Sequence, residues 1–187
     1  MMRYDMPLPN QLRGVQIIKP SGEKRFTAGM AKTEPCPGAP DQSARGVCCA
    51  LGDLPVDGGY KGVLMIAEGY ATAATVRMAT GRRLPVVAAF DCHGLAPAAR
   101  TLLALYPSAK LAFLADDDYL TDGNPGVKAA KGCVATFKGA QWIAPVWPHG
   151  VKREGGTDFN DLHLSAGLAV VRRQIEPMVS YMMSGRV

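Results

Sequence analysis

Between residues 62 and 146 the chain repeats one device: a short apolar run followed by an Ala-rich segment of helical period. The runs are VLMIA, ATAATVRMATG, LPVVAAF, LAPAARTLLALY, KLAFLA, PGVKAAKGCVATFKG and QWIAPV. Apolar runs without a polar alternate position belong to strands covered on both faces, and a helix between successive strands makes those strands parallel. The pattern therefore specifies an α/β fold, with a central parallel sheet of four strands in the expected order 2-1-3-4 and helices on both faces. Gly81 fits the position just past a helix, and Asn124-Pro125 fits an N-cap followed by Pro at the first helical position.

The flanks differ. RGVQIIKPSGEKRFTAG alternates around a Pro-Ser-Gly turn, as a β-hairpin does, and a Gly/Pro-rich stretch follows to residue 60. This divides the chain into a small β-rich N-terminal element, 1–58, and an α/β domain with a C-terminal helix, 59–187. HGVKREGGTDFNDLHLSAG is expected as polar loop, and LAVVRRQIEPMVSYMM as a closing helix broken near Pro177. With 187 residues, 48% of them hydrophobic, the chain is long enough for one domain with a substantial core. No apolar segment reaches the roughly 18 residues needed to span a bilayer, and the first residues lack signal-peptide character, so the expected location is cytoplasmic, without a membrane partner. Five cysteines without a CxxC pair argue against a disulfide framework and a zinc ribbon. A net charge of +5 is compatible with a polyanionic partner but does not demand one.

Acids punctuate the ends of the strands. Glu68 follows the first, Asp91 the second, and Asp116, Asp117 and Asp118 the third. Parallel strands share one carboxyl edge, so these acids converge on one rim, where open α/β sheets bind ligands. Asp116 and Asp118 should project alike, with Asp117 turned elsewhere. Clustered carboxylates repel unless solvent or a cation relieves them, and an oxygen-only set suits Mg²⁺ or Mn²⁺. Two plainer roles stand beside this one: a solvated acidic turn leading to Asn124, and for Glu68 a helix-start acid favoured by the macrodipole.

The same residues carry a resemblance. IAEGYATAATV with Glu68, and LADDDYLTDGNPGVKAA with Asp116 and Asp118, resemble the two motifs of the Toprim domain of bacterial-type DNA primases. GVQIIKPSGEKRFTAG, VLMIAEGYATAATVRMATG, VVAAFDCHGL, ADDD with NPGVKAA, and GTDFNDLH, in that order, are similar to the Toprim region of primases encoded by plasmids, phages and other mobile elements. The likeness covers roughly residues 11 to 176.

It implies that Glu68, Asp116 and Asp118 are catalytic and hold Mg²⁺ or Mn²⁺. It also implies a further acidic motif at TDFNDL, where Asp158 and Asn160 match and Asp161 is a substitute ligand; the plainer role for Asp158 is a cap preceding a helix. The implied reaction is attack of a 3′-hydroxyl on the α-phosphate of a ribonucleoside triphosphate, directed by a single-stranded DNA template. A helicase or zinc-binding module would lie elsewhere in a full-length protein or on a separate chain. The alternatives are a Toprim-type nuclease and a catalytically weak module that binds nucleic acid or a replication partner. A haloacid-dehalogenase phosphotransferase is disfavoured because its D-x-D follows the first strand.

Basic residues extend this picture. Lys128 and Lys131 on the helix after the acids, and Arg77 on the first helix, could reach phosphates, although a solvated helical face accounts for them equally. Lys24 and Arg25 on the hairpin, with Arg82 and Arg83, could follow a single-stranded template. His93, His149 and His163 lack zinc-ligand spacing, and Trp142 and Trp147 suit packing better than base stacking.

Overall fold

A computed structural model describes residues 16–26 and 48–184. A two-stranded antiparallel hairpin pairs β1 (Gln16–Ile18) with β2 (Lys24–Phe26). The main sheet contains β3 (Cys49–Leu51), β4 (Val63–Ala67), β5 (Val86–Ala88), β6 (Lys110–Leu114) and β7 (Gln141–Ile143), in the order β3-β5-β4-β6-β7. Five strands replace the four anticipated. The additional one, β3, comes from the Gly/Pro-rich stretch and runs antiparallel to β5, with Cys49 opposite Ala88 and Leu51 opposite Val86. The other four strands are mutually parallel.

Side-chain parity explains the layers. Every residue of VLMIA in β4 is fully buried, as a strand covered on both faces must be. Val63, Met65 and Ala67 pack with α1 (Tyr70–Ala79), α4 (Phe159–Ala166) and α5 (Leu168–Met183) through Val76, Phe159, Leu162, Val171 and Ile175. Leu64 and Ile66 face the opposite way, onto Leu95 and Leu102 of α2 (Leu95–Leu105) and Ala130 and Cys133 of α3 (Pro125–Thr136). Each fully buried aliphatic side chain contributes about 1.5–3 kcal/mol, so a charge at Ile66 would be expected to unfold the sheet.

Helix ends follow their local chemistry. Gly81, at φ +64°, closes α1: its amide donates to Met78 O and that of Arg82 to Arg77 O, the paired bonds of a Schellman ending. Three expectations are corrected. The second half of the supposed loop 149–167 is α4, held by a capping box in which Asp158 and Asp161 exchange hydrogen bonds with each other's backbone amides. Helix α5 continues through Pro177, because Val171, Ile175 and Met182 are buried on either side of it and packing outweighs the lost hydrogen bond. Asn124 stands at the N-cap of α3 in a left-handed conformation but makes no capping bond. The Asp118 carboxylate takes that role, accepting from the Gly126 amide at 3.2 Å.

Candidate active site

Register delivers the acids together. Ala67 of β4 lies opposite Leu114 of β6, so Glu68 and Asp116 leave the sheet within two residues of a shared rung. Glu68 is buried at 8% exposure, and its Oε1 accepts from the Asp116 amide at 3.4 Å. Helix α3 closes over both: a Cβ on Gly126 would stand 2.3 Å from the Asp116 carbonyl oxygen and 2.7 Å from Glu68 Oε1. Only glycine allows that approach.

A fourth carboxylate arrives from α4. Asp158 Oδ2 accepts from the buried Thr72 hydroxyl at 2.7 Å, and its Oδ1 accepts from the Asp161 amide at 2.8 Å. Asn160 accepts from Thr75, so two threonines of α1 dock α4 beside the rim. Asp161 itself faces backbone: its Oδ2 accepts from the amides of Thr157 (2.8 Å) and Asp158 (3.4 Å).

The electrostatics are unfavourable as they stand. Burial, then the carboxylates of Glu68, Asp158 and Asp118, raise the pKa of Asp116, while Lys24 opposes the rise. Burial also raises Glu68, reinforced by Asp118, Asp91 and Asp158 and countered by the Asp116 amide. Asp158 is raised by burial despite its hydrogen bonds. Asp116 Oδ1 is buried and accepts no hydrogen bond, so the site holds an acceptor with nothing to accept from. Among the described residues, no three His, Cys, Asp or Glu side chains form a ready-made metal cage.

The remaining residues separate into two groups. Lys24 belongs to the rim: its Nζ lies 3.8 Å from where a Cβ on Gly69 would be. Its neighbour Arg25 pairs with Glu23 instead. Lys128 is exposed in the first turn of α3, whereas Lys131 sits 5.4 Å above the Trp142 ring. Asp91 caps a short 3₁₀ turn by accepting from the Gly94 amide, and it contributes to the field at Glu68.

Arg77, Arg82 and Arg83 lie at the opposite edge of the sheet. Arg77 packs on Gly52, next to Leu51, which pairs with the first residue of β5. Arg82 and Arg83 form the turn leading into β5, and Arg83 pairs with Glu176 of α5. His93 and His149 are exposed, and His163 lies in the last turn of α4.

Asp117 is turned away from its two neighbours, and its partner was not visible in the sequence. Arg153 Nη2 lies 2.8 Å from Asp117 Oδ2 and donates to the Asp117 carbonyl at 2.7 Å. Asn124 donates to Asp117 Oδ1 at 2.6 Å. The pair is 36 residues apart in sequence, so no local spacing could have revealed it.

Fold and rim together define a mixed α/β domain that gathers carboxylates at the carboxyl edge of its parallel strands. The chain is similar to two proteins, each named DNA primase TraC, from Escherichia coli. One is 36% identical over 141 residues, covering 73% of this chain and 12% of the relative; the other is 36% identical over 137 residues, covering 71% and 8%. The similarity is to one segment of these proteins, and the chain spans about a tenth of the length of these curated relatives. No family profile matches it, and no solved structure does.

Proposed function

We propose that this chain is the Toprim-type catalytic core of a DNA primase, joining ribonucleotides on a single-stranded DNA template. The observation that carries the proposal is the meeting of Glu68 with Asp116 across neighbouring parallel strands, with Asp116 Oδ1 buried and unsatisfied. The similarity to DNA primase TraC supports the same reading.

The residues fit Mg²⁺ or Mn²⁺. Such ions take one or two carboxylates and keep several waters and substrate phosphates, so no preformed cage of three side chains is needed. Glu68, Asp116 and Asp118 would hold the ion, with Asp158 as a further carboxylate and Asp161 shaping the loop that presents it. A bound metal would supply the charge that lowers the pKa of the attacking 3′-hydroxyl and offsets charge on the α-phosphate and the departing pyrophosphate. Gly126 keeps α3 seated on Glu68 and Asp116. Lys24 offers a positive charge at the mouth for the triphosphate or the template backbone, and Lys128 offers a second on the exposed face of α3. A helicase or zinc-binding module would be supplied by the rest of a longer protein or by another chain.

Incubation with Mg²⁺, single-stranded DNA and labelled ribonucleotides tests the proposal. Extended products are expected; shortened DNA would replace priming with cleavage, and template binding without either reaction would leave a binding module.

A further inference from the structure

Resting on that reading, we propose that Arg153 is a positioning residue for the carboxylate rim: by pinning Asp117 it fixes Asp158 relative to Asp116 and Asp118. Arg153 sits in the loop before α4 and contacts none of the proposed metal ligands through their carboxylates. Its guanidinium nevertheless joins both loops that carry them. Nη2 engages both the carboxylate and the carbonyl of Asp117, and Nε donates to the Gly156 carbonyl at 2.7 Å. The Asp117 amide donates back across the same seam to the Thr157 carbonyl, at 2.8 Å. Asp116 and Asp118 flank Asp117 in sequence, and Asp158 follows Thr157. The seam therefore sits one residue away from three of the four rim carboxylates.

Two aromatic rings hold the guanidinium in place, Tyr119 at 3.6 Å and Trp147 at 4.7 Å from its carbon to their centroids. Trp147 is itself anchored, with Nε1 donating to Ser165 of α4. Gly156 must remain small, because a Cβ there would come within 2.9 Å of both Trp147 and Asp161.

Burial separates this ion pair from the others. The side chains of Arg153 and Asp117 are 25% and 23% exposed, while every other pair among the described residues has both partners at 39% or more. Exposed pairs contribute little. A half-buried, multiply bonded pair between two aromatic rings defines geometry, and lysine cannot reproduce its planar fork.

The test is Mn²⁺ affinity, followed by electron paramagnetic resonance on wild type, Arg153→Lys, Asp117→Asn and the double variant. Circular dichroism identifies a temperature at which all four are folded. Outer-shell partners of metal ligands are typically worth 10–100-fold in affinity. The single variants should therefore bind Mn²⁺ at least about tenfold more weakly, and the double variant no worse than the weaker single one. Arg153→Lys retains the charge but should not rescue binding.

Variants that melt earlier yet bind Mn²⁺ like wild type would overturn the proposal, since a purely structural role predicts that outcome. Wild type that takes up no Mn²⁺ would overturn the metal-dependent reading beneath it, a result distinct from variants that bind normally.

Discussion

Asp158 and Asp161 reach the rim from α4 with their oxygens already employed, accepting from the Thr72 hydroxyl and from the amides of Asp161, Thr157 and Asp158. Glu68 and Asp116 reach the same rim from parallel strands. They are desolvated and mutually repelling, with one long hydrogen bond between them and an unsatisfied oxygen on Asp116. Folding explains the first pair as it stands: the carboxylates close a helix start that would otherwise expose amides. It does not explain the second pair, which raises the free energy of the native state; the cation proposed above would offset that cost. Stability sacrificed at one place is the usual mark of a site.

Substitutions should break the two pairs apart. The largest effect is expected from Glu68→Gln or Asp116→Asn, each lowering nucleotide incorporation by about a hundredfold or more with the circular dichroism spectrum intact. An equal loss from Asp161→Ala would erase the contrast. Next, Mg²⁺ at a hundred times its dissociation constant should stabilise wild type by about 2.7 kcal/mol against EDTA, a gain read by thermal melting and absent in Asp116→Asn.

The metal-free protein should also respond to pH. Both carboxyls titrate higher in the folded chain than in the unfolded one, so the native state holds the extra protons. Its stability falls as pH rises from the ordinary carboxyl values of 4.5 and 3.8 past neutrality. Melting temperatures between pH 5 and 8 should decline, and Asp116→Asn should flatten that decline while melting above wild type at pH 8. Asp161→Ala should cost about 1 kcal/mol through the lost capping box. The smallest effects belong to Arg82→Ala and Arg83→Ala, within about 0.5 kcal/mol. Their titration against single-stranded DNA should match wild type, whereas Lys24→Ala should bind less tightly.

The sequence made the central strands and their acids legible for one reason. VLMIA and KLAFL are buried on both faces, so the first carboxylate after each run marks where the sheet meets solvent. Strand β3 offered no such signal: CAL is three residues long, and Gly52 follows it within a turn-rich stretch. Helix α4 gives a weak helical signal because FNDLHLSA has only Phe159 and Leu162 buried, although Asp158 reads as a cap before a helix and Asp161 completes the capping pattern. Arg77, Arg82 and Arg83 stand away from the rim because a helix leaving the carboxyl edge carries its last turn to the opposite end of the strands. Asp118 performs the cap that the Asn-Pro pattern predicts for Asn124, because Asp117 draws the Asn124 side-chain amide away through a contact the local sequence does not show.

The seating of α3 has a practical corollary for anyone redesigning this pocket. Because residue 126 has no room for even one methyl group, that helix cannot be refaced independently of the acids beneath it. Even the mildest enlargement at that point would pry the roof from the floor, and the proposed activity would be lost by displacement alone, with every charged group still present.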